Sequence, residues 1–326
     1  MKHVIAIIFL LAIIPRSESI QAKDLPYKTR IIVAQDGSGD FTSIEKAVES
    51  AKSFPDHRIT IFIKNGIYHE KVRIPAWNTE ISLIGESRDS TIITYGDYFA
   101  AISKGPNSTF YTATLLVQGD GFHAENLTVV NSAGAVGQAI ALDVEADRCS
   151  IVDCTISGNQ DTLYCAGARA RQYFRDCLIT GTTDFIFGEA TVLFEKCTLV
   201  IKSGSYYTAA STPSYAAYGF VFKDCTLKGT PGTNNALLGR PWRKYASTVF
   251  INCFMDSCIA PTGWSDWNDT TNHQTVRYAE YRSSGPGAQR GARVSWSRQL
   301  SAGEASHYTP RTIFAGIPAW DPLNGQ

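Results

Sequence analysis

Two aspartates hold matching places in this sequence. Cys154-Thr-Ile-Ser-Gly-Asn-Gln160-Asp161 and Cys177-Leu-Ile-Thr-Gly-Thr-Thr-Asp184 each run from a Cys through an Ile to a Gly and then an Asp. The Asp falls in the same phase of both. If the two stretches stack as parallel strands, the carboxyls lie one strand spacing apart, about 5 Å. Acids that close do not both ionise easily, so one keeps its proton while the other stays charged. Such a pair can act as acid and base, or as acid and nucleophile. The plainer reading is a pair of turn aspartates after glycine, common in β-rich chains.

Three further groups sit around the pair. Gln160 directly precedes Asp161, and Gln138 lies in Gly137-Gln138-Ala-Ile-Ala one repeat upstream. A Gln amide is a neutral donor suited to an oxyanion. Leu238-Gly-Arg240-Pro-Trp242 sets an Arg and a Trp after an apolar strand. A guanidinium fork beside Asp184 would orient it and hold it ionised. Singly, each has a bland reading as surface Gln or turn residue.

The elements that must position these residues form a repeat. Ile151-Val-Asp-Cys154, Phe174-Arg-Asp-Cys177, Phe194-Glu-Lys-Cys197, Phe222-Lys-Asp-Cys225 and Phe250-Ile-Asn-Cys253 align. His123-Ala-Glu-Asn126 is a weaker earlier copy, with Asn126 in the Cys column. Each has a polar residue just before the column position, read as a corner. Periods of roughly 20–50 residues imply stacked supersecondary units. These units are β-branched and aromatic with no helical pattern between them, so they predict a parallel β-helix with loops leaving on one side. Before them, Thr42 or Ser43 caps a short helix with apolar face Ile44, Ala47, Val48 and Ala51. The fold class expected is all-β, with that N-terminal helix as a cap and loops and helical segments at the C-terminus.

The apolar run Val4 to Ile14 after Met1-Lys2-His3 reads as a signal peptide, residues 1–22, leaving 23–326 as a single secreted domain with no membrane span. Lys+Arg 30 balances Asp+Glu 30, which argues against a nucleic-acid partner. Sequons occur at Asn107, Asn126 and Asn268, although Asn126 falls inside a repeat where a glycan would not fit. Eight cysteines in a secreted chain suggest disulfides, yet five share one repeat position and read as a buried ladder. If any rungs are bridged, the short coil between Cys177 and Cys197 is the place expected. No His or Cys spacing suits a metal, and no cofactor is expected.

Five ordered segments carry a family resemblance. Gly66-Ile-Tyr68-His-Glu70, Gly137-Gln138-Ala, Gln160-Asp161-Thr-Leu, Asp184-Phe-Ile-Phe-Gly188 and Leu238-Gly-Arg240-Pro-Trp242 resemble the signatures of pectin methylesterases, or pectinesterases. Pro261-Thr-Gly-Trp264-Ser-Asp-Trp267 is also family-like, and the similarity runs from Ile31 to Trp320. The resemblance implies a right-handed parallel β-helix that removes methyl esters from polygalacturonate without a metal or cofactor. It implies Asp184 as nucleophile, Asp161 as general acid/base, Gln138 and Gln160 as oxyanion donors, and Arg240 as the partner of Asp184. Trp242 and Trp264 resemble sugar platforms, with Tyr164 and Phe185 as further substrate-binding residues. The partners it implies are pectin and a proteinaceous pectinesterase inhibitor, for an enzyme acting as a monomer.

Two departures stand out. The long N-terminal inhibitor-like region of many plant members is missing from this sequence, and its Cys column is unusually rich. The rival readings are a β-helix glycoside hydrolase such as a polygalacturonase, a non-catalytic carbohydrate-binding β-helix, and an esterase of small acyl esters. An in-register pair fits a retaining glycosidase separation, about 5–5.5 Å, but not an inverting one. The two Gln donors favour ester chemistry.

Overall fold

A computed structural model describes residues 27–323. The expected signal peptide lies outside the described residues. The chain winds as a right-handed parallel β-helix of three sheets, with eleven, eight and seven strands. One coil shows the pattern. Cys149–Val152 lies in the first sheet, Thr155–Ser157 in the second and Leu163–Cys165 in the third. The next coil places Arg171–Arg175, Leu178–Gly181 and Ile186–Gly188 directly beside them.

The corner between the first two sheets is made by the polar residue before each Cys. Asp153, Asp176, Lys196, Asp224 and Asn252 all hold positive φ, between 48° and 56°. Four of the five are Asp or Asn, whose short polar side chains tolerate that left-handed region better than β-branched ones. Asn126, at φ 60°, belongs to this corner column. Ile151 pairs with Ala124, so Leu127 occupies the Cys column, and the alignment of the weak first copy moves by one residue. The Asn126 amide donates to the carbonyls of Gly85 and Glu86 and accepts from Arg88 N, so this sequon is engaged in the fold.

Inside the coil, like residues stack. Phe174, Phe194, Phe222 and Phe250 form a face-to-face ladder with centroids 5.0, 4.5 and 4.6 Å apart. The Cys column runs beside it. All eight cysteines are buried free thiols, so the Cys177–Cys197 bridge is absent. In-register parallel strands hold equivalent Cβ atoms about 4.8 Å apart, wider than the roughly 3.8 Å a disulfide prefers.

Ser43 caps the helix Ile44–Ser50, and the helix closes the N-terminal end of the core. Glu70, from the Gly66-Ile-Tyr68-His-Glu70 segment, accepts from Ile44 N and Glu45 N and from the Ser43 hydroxyl. Its carboxylate therefore meets the free amides of the helix N-terminus. At the other end, Ile313 and Phe314 pack on Tyr173, Leu193 and Val221 of the first sheet's outer face. Arg171 holds that tail by donating to the carbonyls of Phe314 and Pro318. The longer excursions leave at two corners, not one. Residues 96–114 and 132–141 leave between the second and third sheets, and residues 211–219 leave between the third and first. Both kinds border the outer face of the third sheet.

Candidate active site

Asp161 and Asp184 stand at the corner where the chain enters the third sheet. Both hold positive φ, 60° and 50°. Leu163 pairs with Ile186, which places Asp161 beside Asp184 at one strand spacing, about 5 Å. The backbone confirms the stacking: Asp161 N donates to Thr183 O, and Asp184 N donates to Tyr206 O. Two turn aspartates would meet this geometry too, so their surroundings decide what they can do.

Arg240 is the first of those surroundings. Its Nε donates to Asp184 Oδ1 at 2.9 Å and its Nη2 to Oδ2 at 2.6 Å, a two-pronged pair. The guanidinium is fixed from both faces, with its carbon 4.1 Å from the Tyr206 ring centroid and 3.7 Å from that of Trp267. Asp161 makes no such pair. Burial pushes its carboxyl well above the usual range, and the Asp184 charge pushes further, with Arg240 opposing weakly. Burial also raises Asp184, but there the Arg240 hydrogen bonds and charge pull back. Asp161 is therefore the more strongly raised of the two carboxyls, and Asp184 the one whose charged form the guanidinium favours.

Gln138 and Gln160 meet across a β-bridge between adjacent coils, immediately upstream of the acids. Both line the same cleft of about 270 Å³ as Asp161, Asp184 and Arg240. The floor of that cleft is an in-register row on the third sheet's outer face, Phe187, Ala209 and Arg240, which Tyr164 continues beyond the cleft. Ala209 is the small member between Phe187 and Arg240, and its size leaves the floor open. Tyr164 stacks on Phe187 at 4.6 Å, and Trp242 stands edge-on to both. Phe110, from the excursion 96–114, packs against Tyr164 from the far wall. Gly188 ends the Asp184-Phe-Ile-Phe-Gly188 segment at φ 123°, where an added Cβ would lie 2.1 Å from Cys165 O. Only glycine lets these two coils approach at the floor.

Two expected substrate contacts are corrected. Trp264 is 2% exposed and stacks on Tyr278 at 4.4 Å inside the core. It faces inward because it bridges Gly239 and closes the coil beneath Phe250. Phe185 is fully buried and packs on Tyr207. The aromatic that faces the cleft from the Pro261–Trp267 segment is Trp267, 37% exposed. Sequence reasoning passed over Trp267, Phe187 and Tyr206. The first two lie within quoted motifs, but Phe185 and Ile186 both enter the core, so strict alternation from Asp184 does not single out Phe187.

A buried acid without a partner lies outside the cleft. Asp143 is fully buried on the same outer face, in register with Leu116 and Tyr164, and neither carboxyl oxygen has a partner. Burial pushes it well above the usual range, with Glu145 and Glu189 adding.

Comparison with known proteins agrees with this architecture. The Pectinesterase family model matches residues 30–316. Pectinesterase 31 of Arabidopsis thaliana is 38% identical over 86% of this chain and 90% of its own length. A longer Arabidopsis thaliana relative, named for a pectinesterase with a pectinesterase inhibitor, is 36% identical over 95% of this chain, which spans 56% of that protein. Among solved structures, pectin methylesterase from carrot superposes with a TM-score of 0.82 at 33% identity, covering 91% of this chain and 94% of that one. A pectin methylesterase in complex with a hexasaccharide gives 0.77 at 29% identity, over 90% and 98% of the two chains.

Proposed function

The chain belongs to the pectinesterase family, and from that premise we propose that it hydrolyses the methyl esters of pectin, releasing methanol and leaving free carboxylate. The observation that carries this reading is the asymmetric acid pair: two in-register carboxyls, only one of them held by a guanidinium fork.

In this reading Asp184 attacks the ester carbonyl carbon. The developing oxyanion is met by the side-chain amides of Gln138 and Gln160. Asp161 gives its proton to the departing methoxide, and methanol leaves. The acyl group is then a mixed anhydride on Asp184. Asp161, now ionised, takes a proton from a water that attacks the anhydride, and both acids return to their starting states. Arg240 keeps Asp184 charged and aimed throughout. Trp242, Trp267, Tyr164 and Phe187 offer apolar ring faces for the sugars on either side of the acids. A glycosidase would need the two acids but has no carbonyl oxyanion for the paired Gln residues to meet.

We take residues 1–22 as a signal peptide and 23–326 as one domain, acting outside the cell as a monomer. No helix among the described residues is long and apolar enough to cross a membrane. Pectin is the polymer partner. A proteinaceous inhibitor is a second candidate partner, since relatives carry inhibitor in their names. The test is methanol release from highly methyl-esterified pectin. Asp184→Asn and Asp184→Ala should lose turnover by at least ~10³-fold while still binding pectin. Retained turnover in either would remove Asp184 from the nucleophile's role.

A further inference from the structure

Gln138 is held in place from behind. It precedes the regular strand Leu142–Val144 and follows an exposed loop, so the third sheet alone does not fix it. Instead a buried clasp grips residues 138–140. Thr112 is fully buried, and its hydroxyl accepts from Ile140 N at 2.9 Å while donating to Thr109 O at 2.6 Å. Asn131 is 4% exposed, and its amide donates to Ile140 O at 3.0 Å and to Asp97 O at 2.8 Å. Its Oδ1 accepts from Ala133 N at 3.0 Å. Phe99 N donates to the Gln138 carbonyl at 2.9 Å. On the opposite side, Ala139 N donates to Gln160 O at 3.1 Å, which ties the clasp to the second Gln.

The same groups hold the cleft wall. Asp97, Phe99 and Thr112 belong to the excursion 96–114, whose Thr109 and Phe110 line the cleft. The clasp thus locks the wall and the oxyanion side to each other through side chains that never reach the substrate. Regular sheet pairing is interrupted here, and a side-chain hydroxyl and amide supply the bonds a strand would otherwise make.

We propose that Thr112 and Asn131 are positioning residues for the oxyanion side of the site, acting through Gln138. This rests on the reading of Gln138 as an oxyanion donor. A donor has to sit within a fraction of an ångström of the developing charge, and misplacement by about 1 Å costs on the order of 10²-fold in rate.

The experiment is a double-variant cycle on methanol release. Thr112→Val keeps the side-chain shape and removes the hydroxyl. It should lower kcat by roughly 10–10²-fold with KM within about twofold, whereas Thr112→Ser should keep most of the activity. Gln138→Ala should lose roughly 10²–10³-fold in kcat. The pair Thr112→Val with Gln138→Ala should be no slower than Gln138→Ala alone, because the proposal routes the effect of Thr112 on kcat through Gln138. Losses that multiply would overturn the proposal, as would unchanged kcat in Thr112→Val or equal losses in Thr112→Val and Thr112→Ser. An inert Gln138→Ala beside a slow Thr112→Val would place the error in the reading of Gln138 and would equally end the proposed route. If Thr112→Val does not fold, Asn131→Ser enters the same cycle with the same expectations.

Discussion

At the scale of single residues, the proposed reaction turns on which carboxyl holds the proton. In that reaction Asp184 must be anionic to attack and Asp161 protonated to donate. Acylation therefore fails at low pH as Asp184 takes a proton and at high pH as Asp161 loses one. Burial raises Asp184, and the Arg240 fork opposes that rise. Arg240→Met removes the opposing charge, so the acidic limb of the kcat/KM profile should move to higher pH while kcat falls strongly. An unmoved limb in a folded variant would show that Arg240 does not hold Asp184 ionised. Asp143 offers a second test with the opposite readout. Its folded pKa is raised, so the unfolded chain releases the proton above about pH 4 while the folded chain keeps it. Stability is lost as pH rises from there toward the folded value, by up to ~1.4 kcal/mol per pH unit. Asp143→Asn has no proton to lose, so its thermal midpoint should gain on the parent as pH goes from 4 to 8. A gap that does not grow over that range would contradict the buried, unpartnered state of Asp143.

At the scale of elements, much of the site was readable in the sequence. The matched Asp161 and Asp184 follow from repeat phase, and the register pairs them as that phase requires. The inner ladders follow from the Phe and Cys columns. What spacing could not show is which way a side chain turns beside a corner. Phe185 follows Asp184 directly, and the left-handed φ at Asp184 turns the next side chain into the core. Trp264 and Trp267 share one loop, and only the bridge to Gly239 shows that the first points inward. Likewise the clasp of Thr112 and Asn131 joins segments that no repeat connects. The two tryptophans give a clear contrast. Trp264→Ala should cost about 3–5 kcal/mol of stability, as for a large buried aromatic. Trp267→Ala should leave the thermal midpoint nearly unchanged but lower kcat and raise KM, because it uncovers Arg240 and removes a cleft wall. The reverse pattern, measured by thermal unfolding and steady-state kinetics, would restore Trp264 as the sugar platform.

At the scale of the whole molecule, the β-helix works as a ruler. Stacked coils space residues from distant segments by one strand each, so Gln138, Gln160, Asp161, Asp184 and Arg240 converge from four coils onto one cleft. The corner between the first two sheets is mostly a two-residue turn, with residues 86–90 its longest loop, which leaves the other two corners to build walls around the third sheet. The helix Ile44–Ser50 and the tail around Ile313 then cover the coil where stacking ends or a face lies bare. Such a rigid frame suits a polymer laid along the outer face, and it makes a direct demand on the products. One sample of highly methyl-esterified pectin, treated with the enzyme, can be followed for methanol, titratable acid and new reducing ends together. Methanol and acid should appear in equal amounts with no new reducing ends, and both products should be lost in Asp184→Asn. Reducing ends that rise in step with enzyme while methanol stays flat would contradict the proposed reaction.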